Sequence, residues 1–175
     1  NVCMSSFEDI TKAIRKLANP EKGVFLQRFF KTGKGQYGEG DVFLGLTVPQ
    51  SRIIAKQFEK LSLTSVTKLL RSKAHEDRLI ALIILTMQYK KGTEAEKETM
   101  YELYLANTEY INNWDLVDLS AEYIVGEHLL QAKKGAEPHA EPRRRHSGEH
   151  GESGISIVST HTRDSGKVVA FQNDN

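Results

Sequence analysis

Cysteine is almost absent from the chain, which has one, Cys3, among its 175 residues. A single cysteine cannot form an internal disulfide, so nothing in its use points to an oxidising compartment. Long apolar runs are missing too: the longest, residues 79–87, is interrupted by Thr86 and is far shorter than the ~20 residues that a membrane-spanning helix needs. No basic stretch followed by an apolar segment stands at the N-terminus. These absences predict a cytoplasmic protein with no membrane partner.

The motifs that hold metals, phosphates or organic cofactors are also missing. The glycines of residues 32–40 are not followed by the Gly-Lys-Ser/Thr of a phosphate-binding loop, and their spacing does not match a dinucleotide fingerprint. This segment is therefore predicted to be a structural loop. The histidines after residue 138 lack the ordered spacing of a zinc site, and the arginines 143–145 are typical of a solvated charge cluster. The sequence predicts no metal site and no cofactor.

The charge is unevenly distributed along the chain, although its formal net value is only +1. The first 100 residues hold 17 Lys and Arg against 11 Asp and Glu, whereas the charged residues of the segment 102–131 are all Asp or Glu, apart from one histidine. A basic excess of this size is compatible with a groove that follows DNA phosphates. Many helical surfaces carry as much charge without binding nucleic acid, so charge alone does not assign the partner.

Apolar residues recur at helical spacing through residue 131, and no strand-like alternation interrupts them. The predicted helices cover residues 7–17, 21–30, 48–61, 63–70 and 73–91, then run from a Thr93 cap to Asn107 and from an Asn112 or Asn113 cap to Gln131. Short connections between helices of this size predict an all-α fold of stacked antiparallel helix pairs. An ordinary closed bundle is the alternative, because the sequence shows no clear repeat.

The composition changes after Gln131. Residues 133–154 are rich in Gly, Pro, His, Glu and Arg and have hardly an apolar side chain. Such a segment cannot bury enough surface to offset the entropy lost on ordering. We therefore expect a helical-repeat domain at residues 4–131 and a low-complexity, disordered tail at residues 132–175.

The strongest candidate site is the segment Asn112-Asn113-Trp114-Asp115-Leu116-Val117-Asp118. Trp114 and Asp118 are four residues apart at a predicted helix start, so both side chains project from one face. A carboxylate there could stabilise positive charge on a sugar and orient a water, while the aromatic ring excludes solvent. Taken alone, the pattern is more typical of a helix-start aspartate beside a core tryptophan.

Several segments together resemble the DNA alkylation repair proteins with HEAT-like repeats, commonly called AlkD-like DNA glycosylases. The resemblance covers roughly residues 7–131, and the segments that carry it are Phe29-Phe30-Lys31-Thr32-Gly33, Tyr37-Gly38-Glu39-Gly40-Asp41, Phe43-Leu44-Gly45, Val48-Pro49, Met87-Gln88-Tyr89-Lys90 and Asn113-Trp114-Asp115-Leu116-Val117-Asp118. Their combined order and spacing are specific, whereas each segment alone would be weak evidence.

The resemblance implies a HEAT-like solenoid whose concave basic face binds double-stranded DNA with alkylated bases. It implies hydrolysis of the N-glycosidic bond of cationic N3- or N7-alkylated purines. Asp118 matches the catalytic aspartate of the family, and Trp114 matches its aromatic residue beside the lesion. Because the leaving base is already cationic, electrostatic stabilisation of the sugar matters more than protonation of the base. With the resemblance, Trp114 and Asp118 become the predicted site residues.

One segment departs from the family pattern. Members continue with a Trp-x-x-Arg element, whose arginine lies in the active-site cleft, directly before an apolar run. Here residues 155–160 resemble that run, and Gly154 stands at the arginine position. Further C-terminal helices have no counterpart, so we expect a chain that starts naturally at Met4, is cut short at its C-terminus and self-associates through exposed helix faces. Two alternatives stay open: a non-catalytic helical-repeat module that binds DNA or protein, and an inactive fragment of a repair enzyme.

Overall fold

The computed structural model describes residues 6–136, except 31 and 37. This part of the chain is all helical, as predicted, with no β-strand beyond one isolated bridge between Val42 and Ala74. The α-helices are α1 (Phe7–Lys16), α2 (Pro20–Phe29), α3 (Val48–Gln57), α4 (Leu63–Leu70), α5 (His75–Lys91), α6 (Glu94–Leu105), α7 (Trp114–Asp118) and α8 (Glu127–Ala136). A 3-10 turn, Thr108–Tyr110, precedes α7, and a π turn, Glu122–Gly126, precedes α8.

Local sequence signals explain where the helices begin. The Ser6 hydroxyl accepts a hydrogen bond from the Asp9 backbone N–H, and the Asp9 carboxylate accepts one from the Ser6 N–H, which forms a capping box at α1. The predicted capping box of Thr93 and Glu96 is confirmed at α6 by the same reciprocal pair of bonds. Each cap satisfies backbone donors that the first helical turn leaves without a partner.

Helix α5 is the centre of the domain. Twelve of its 17 residues are buried, because it packs against α3, α4, α6 and α7. Its apolar residues cover most of its circumference, and a helix of this kind is buried between its neighbours. Helix α1 packs on α3 and α4. Contacts between helices that are near in sequence are consistent with the predicted helical-repeat fold.

The last predicted helix, from Asn112 or Asn113 to Gln131, is divided in the structure into α7, the π turn and α8. The cause lies at Ser120, whose buried hydroxyl donates to the Leu116 carbonyl and also contacts the Tyr104 hydroxyl at 3.0 Å. A serine that bonds the carbonyl one turn earlier bends a helix. Helix α8 continues to Ala136. The rest of the predicted tail, with Gly154, lies outside the described residues, so the predicted domain boundary and self-association stay predictions.

The loop between α2 and α3 lies tightly against the start of α2. Gly45 has φ +82°, and a Cβ atom there would come within 2.1 Å of the Asn19 carbonyl oxygen, so only glycine fits. On the other side, the Val42 N–H donates to the Lys73 carbonyl and the His75 N–H to the Val42 carbonyl. The loop is thereby held between α2 and the first turn of α5.

Candidate functional site

Helix α7 presents the two predicted site residues to solvent. Trp114 is its first residue and Asp118 its last, and both side chains are exposed, Trp114 to 70%. The opposite side of the helix is anchored by Leu116, which is fully buried. The Asn113 carbonyl accepts from the backbone N–H groups of residues 116 and 117 and fixes the first turn. Trp114 is therefore a surface residue, whereas the sequence pattern taken alone favoured a tryptophan in the core.

Asp118 lies in an open cavity of about 470 Å³ between α3, α5, α7 and the π turn. The residues that line this cavity, here called the Asp118 cavity, are Val48, Arg52, Leu79, Ile83, Asp115, Asp118, Leu119 and Tyr123. The structure thus brings Asp118 together with Arg52 and Tyr123, neither of which the sequence singled out. Trp114 is not among the lining residues, although it lies one turn before Asp118 on α7.

A second cavity, of about 380 Å³, shares Val48, Leu79 and Asp115 with the first. Its other lining residues are Lys22, Phe25, Leu26, Phe30, Phe43, Gly45, Leu46, Thr47, His75 and Glu76. Most of these side chains are apolar or aromatic, and this second cavity is here called the aromatic cavity. Asp115 therefore stands between an apolar, ring-lined space and the Asp118 cavity.

Asp115 is held by a buried network of charged residues. His75 Nε2 lies 2.7 Å from Asp115 Oδ2, and His75 Nδ1 lies 3.8 Å from Asp41 Oδ2. The Arg78 guanidinium pairs with the same Asp41 oxygen at 2.6 Å, and the Asn112 amide donates to the other carboxylate oxygen at 3.4 Å. His75, Asp41 and Arg78 are all buried. The network ties the start of α7 to α5 and to the loop that contains Asp41.

Three rings form one wall of the aromatic cavity. Phe43 stacks on His75 with 4.6 Å between ring centroids and on Phe30 with 4.9 Å, while Phe30 and His75 lie 5.3 Å apart at a tilt. Aromatic contacts of this kind add about 0.5–1.5 kcal/mol to the burial of area. The imidazole of His75 is therefore fixed by its ring contacts as well as by its two carboxylates.

This arrangement suits chemistry at a centre that gains positive charge. An exposed carboxylate in an open cavity stabilises such charge and orients a water, and a nearby guanidinium binds an anionic group of the same substrate. Among the described residues, no group of three or more His, Cys, Asp or Glu side chains could hold a metal ion.

A model of the DNA alkylation repair enzyme family matches residues 10–144, which is 135 of the 175 residues. The chain belongs to this family. Comparisons with curated proteins and with solved structures found no match. Membership places the protein in DNA repair, with DNA as its substrate. Within the part of the chain that the structure describes, no helix is long and apolar enough to cross a membrane.

The ionisation of the buried network in this family member follows from its contacts. Burial by itself would lower the pKa of His75, but its hydrogen bond to Asp115 and the nearby carboxylate of Asp41 outweigh burial and raise that pKa above the ordinary 6.5. Burial would raise the pKa of Asp41, but His75 and Arg78 outweigh it and hold that pKa below the ordinary 3.8. His75 and Arg78 thus lie against the carboxylates of Asp41 and Asp115 within one buried network.

A second buried carboxylate shapes the wall of the aromatic cavity. Glu76 accepts hydrogen bonds from the backbone N–H groups of Leu44, Gly45 and Leu46 at 2.9, 2.8 and 3.3 Å. Its side chain is 2% exposed. These bonds hold the segment that follows Phe43 and leads into Thr47, the N-cap of α3. Glu76 therefore determines where Phe43 and the start of α3 stand.

Sequence reasoning missed the network of His75, Asp41, Arg78 and Asp115 as well as the cavity residues Arg52 and Tyr123. A signal for the network was present: the four charged or titratable residues 75–78 directly precede the apolar run of the central helix, and all four are buried. Charged residues are rarely buried unless they are paired. No local signal distinguishes Arg52 from the other exposed cations of the first 100 residues.

Proposed function

We propose that this family member is a DNA glycosylase that hydrolyses the N-glycosidic bond of cationic N3- or N7-alkylated purines in duplex DNA. Asp118 stabilises the positive charge that develops on the deoxyribose and orients the attacking water. Trp114 packs against the damaged nucleotide and excludes solvent. The observation that carries the proposal is that both side chains are exposed on one short helix, with Asp118 facing an open cavity.

The nature of the substrate explains why one carboxylate suffices. A purine alkylated at N3 or N7 leaves as a neutral base, so no general acid is needed and charge accumulates on the sugar. A carboxylate outside the buried network remains available to that charge, and Asp118 has no ion-pair partner among the described residues. Asp115, by contrast, is bonded to His75. These contacts support Asp118 as the catalytic carboxylate and Asp115 as a residue that fixes α7.

Replacing Asp118 by asparagine is expected to slow the release of N7-methylguanine from methylated duplex DNA about 100- to 1,000-fold. The amide keeps the size of the side chain but carries no charge to stabilise the sugar. The measurement is free base per enzyme in a single turnover, with Glu109→Gln as the matched control. Glu109 is an exposed carboxylate on the 3-10 turn that lines none of the cavities described above, and its substitution should leave the rate unchanged.

The outcomes of this assay separate the proposal from its alternatives. Release by the wild-type chain that Asp118→Asn abolishes supports catalysis. Duplex binding that weakens with salt, without any release, would instead identify a non-catalytic DNA-binding module. Neither release nor binding would identify an inactive fragment, and equal release by wild type and Asp118→Asn would contradict the role of Asp118.

Trp114 provides its own readout, because it is the only tryptophan of the chain. Its fluorescence should change when a duplex with a stable abasic analogue is added, since an exposed indole would become covered by the nucleotide. Replacing Trp114 by alanine is expected to cost about 1–3 kcal/mol of binding free energy, with little loss of folding stability because 70% of the side chain is exposed. Trp114→Phe should keep much of the affinity. Unchanged binding by Trp114→Ala would contradict the proposed contact.

A further inference from the structure

We infer that the Asp118 cavity is a sugar–phosphate site, in which Arg52 binds a backbone phosphate next to the damaged nucleotide and Tyr123 forms the wall against its deoxyribose. The inference rests on the proposed function, because it assigns the part of the DNA substrate that lies beside Asp118. It names a phosphodiester as the ligand and Arg52 as the residue that recognises it.

Arg52 is an exposed residue on α3 and lines the Asp118 cavity, which Asp118 and Tyr123 enter from elements more than 60 residues further along the chain. The phosphates on either side of a nucleotide are attached directly to its sugar. A cation that shares a cavity with the carboxylate facing that sugar is therefore well placed to reach one of them.

The guanidinium of Arg52 forms no ion pair among the described residues. Two carboxylates line the same cavity, yet Arg52 forms no ion pair with either of them or with any other described residue. By contrast, Arg15 forms two hydrogen bonds with Asp77, and Arg78 pairs with Asp41. A guanidinium presents parallel donors that match two oxygens of one phosphate, so a free arginine in a DNA-facing cavity suits that ligand.

Tyr123 contributes an aromatic part of the wall of the Asp118 cavity. Tyr123 belongs to the π turn, an irregularity that is frequent at functional sites, and its side chain is 41% exposed. Lys90 Nζ lies 4.0 Å from the centroid of the Tyr123 ring. The other lining residues, apart from the two carboxylates, are apolar. A deoxyribose has an apolar face and adjoining anionic phosphates, and it matches such a surface.

Arg52 brings a guanidinium to the Asp118 cavity from α3. Phosphate contacts orient a protein on DNA without reading its sequence. Arg52 would accordingly hold the damaged nucleotide in the register that places its sugar against Asp118.

The test uses the full chain and a duplex with one tetrahydrofuran residue, a stable abasic analogue, whose flanking phosphates are replaced one at a time by neutral methylphosphonate. Neutralising the contacted phosphate should weaken binding by the wild type about fivefold or more. The same neutralisation should weaken binding by Arg52→Gln less than about twofold, because the variant lacks the contact. In salt titrations of the unmodified duplex, Arg52→Gln should lower the slope of log K against log salt by about 1.

Two further variants sharpen the result. Arg52→Lys keeps the charge but not the paired donors, so it should retain the salt slope and lose part of the affinity. Lys12→Gln is the matched control, because Lys12 is an exposed cation on α1 that lines none of these cavities. This variant should still lose affinity when the phosphate is neutralised. The inference is overturned if, at each of the two flanking phosphates, neutralisation weakens binding by the wild type and by Arg52→Gln equally.

Failure of this inference is distinguishable from failure of the proposed glycosylase. If the wild type releases no base but Arg52→Gln still abolishes sensitivity to one phosphate, the phosphate site stands and the catalytic proposal fails. If the wild type releases N7-methylguanine and Arg52→Gln retains its rate and phosphate sensitivity, the glycosylase stands and the phosphate site is wrong.

Discussion

Replacing Glu76 by alanine is expected to lower the free energy of unfolding by about 3–5 kcal/mol. The substitution leaves the N–H groups of Leu44, Gly45 and Leu46 without the buried carboxylate that accepts from them. Small domains have only about 5–15 kcal/mol of stability in total, so this loss is large. Urea unfolding, followed by far-ultraviolet circular dichroism, measures it directly.

The Glu76 prediction has two matched variants. Glu76→Gln retains one oxygen acceptor but no charge, and its new amide cannot accept from the third N–H group, so an intermediate loss is expected. Glu102→Ala removes an exposed carboxylate within α6 and should change stability by less than about 0.5 kcal/mol. A loss of less than about 1 kcal/mol for Glu76→Ala, with an unchanged urea dependence, would show that these hydrogen bonds do not hold the loop.

The second large effect is a dependence of stability on pH that originates at His75. Its pKa is raised in the folded protein, so its stabilising contribution is fully present below the ordinary value of 6.5 and is lost as the pH rises through the raised pKa. The free energy of unfolding should fall over that interval by at most about 1.4 kcal/mol per pH unit. For Asp41 the sign is reversed, because its lowered pKa gives stability above 3.8 that is lost as the pH falls.

Replacing His75 by asparagine should remove the alkaline loss of stability and cost about 3–5 kcal/mol below pH 6.5, where the pairs with Asp41 and Asp115 are complete. Chemical unfolding at a series of pH values compares this variant with wild type. His128→Gln is the control, since that histidine stacks on Tyr101 outside the network. If the asparagine variant retained the wild-type pH profile, the titrating group would have to lie elsewhere.

Most of the helical architecture could be predicted from the sequence. Apolar spacing located every helix up to residue 105 to within a few residues, because an amphipathic helix buries the same face along its length. The Thr93 cap of α6 was identifiable because it satisfies backbone donors only a few residues away. The division near Ser120 was not predictable, since it depends on a hydroxyl that meets Tyr104 only in the folded chain.

The candidate site was only partly predictable. Trp114 and Asp118 are four residues apart, and their common face follows from helical geometry alone. Arg52 and Tyr123 belong to other elements, and nothing in their local sequence indicates a common cavity with Asp118. The burial of His75 and Asp41 could not be predicted either, because a titratable residue in the first turn of a helix or in a loop is usually solvated.

The sequence by itself determined the helices, their caps and the paired placement of an indole and a carboxylate on α7, because each depends on residues within about one helical turn. Tertiary structure alone decided that His75 lies between Asp41 and Asp115 and that Arg52 faces the cavity of Asp118. These contacts join residues 34 to 66 positions apart. They form only when burial of the apolar faces of α3, α5 and α7 brings those helices together.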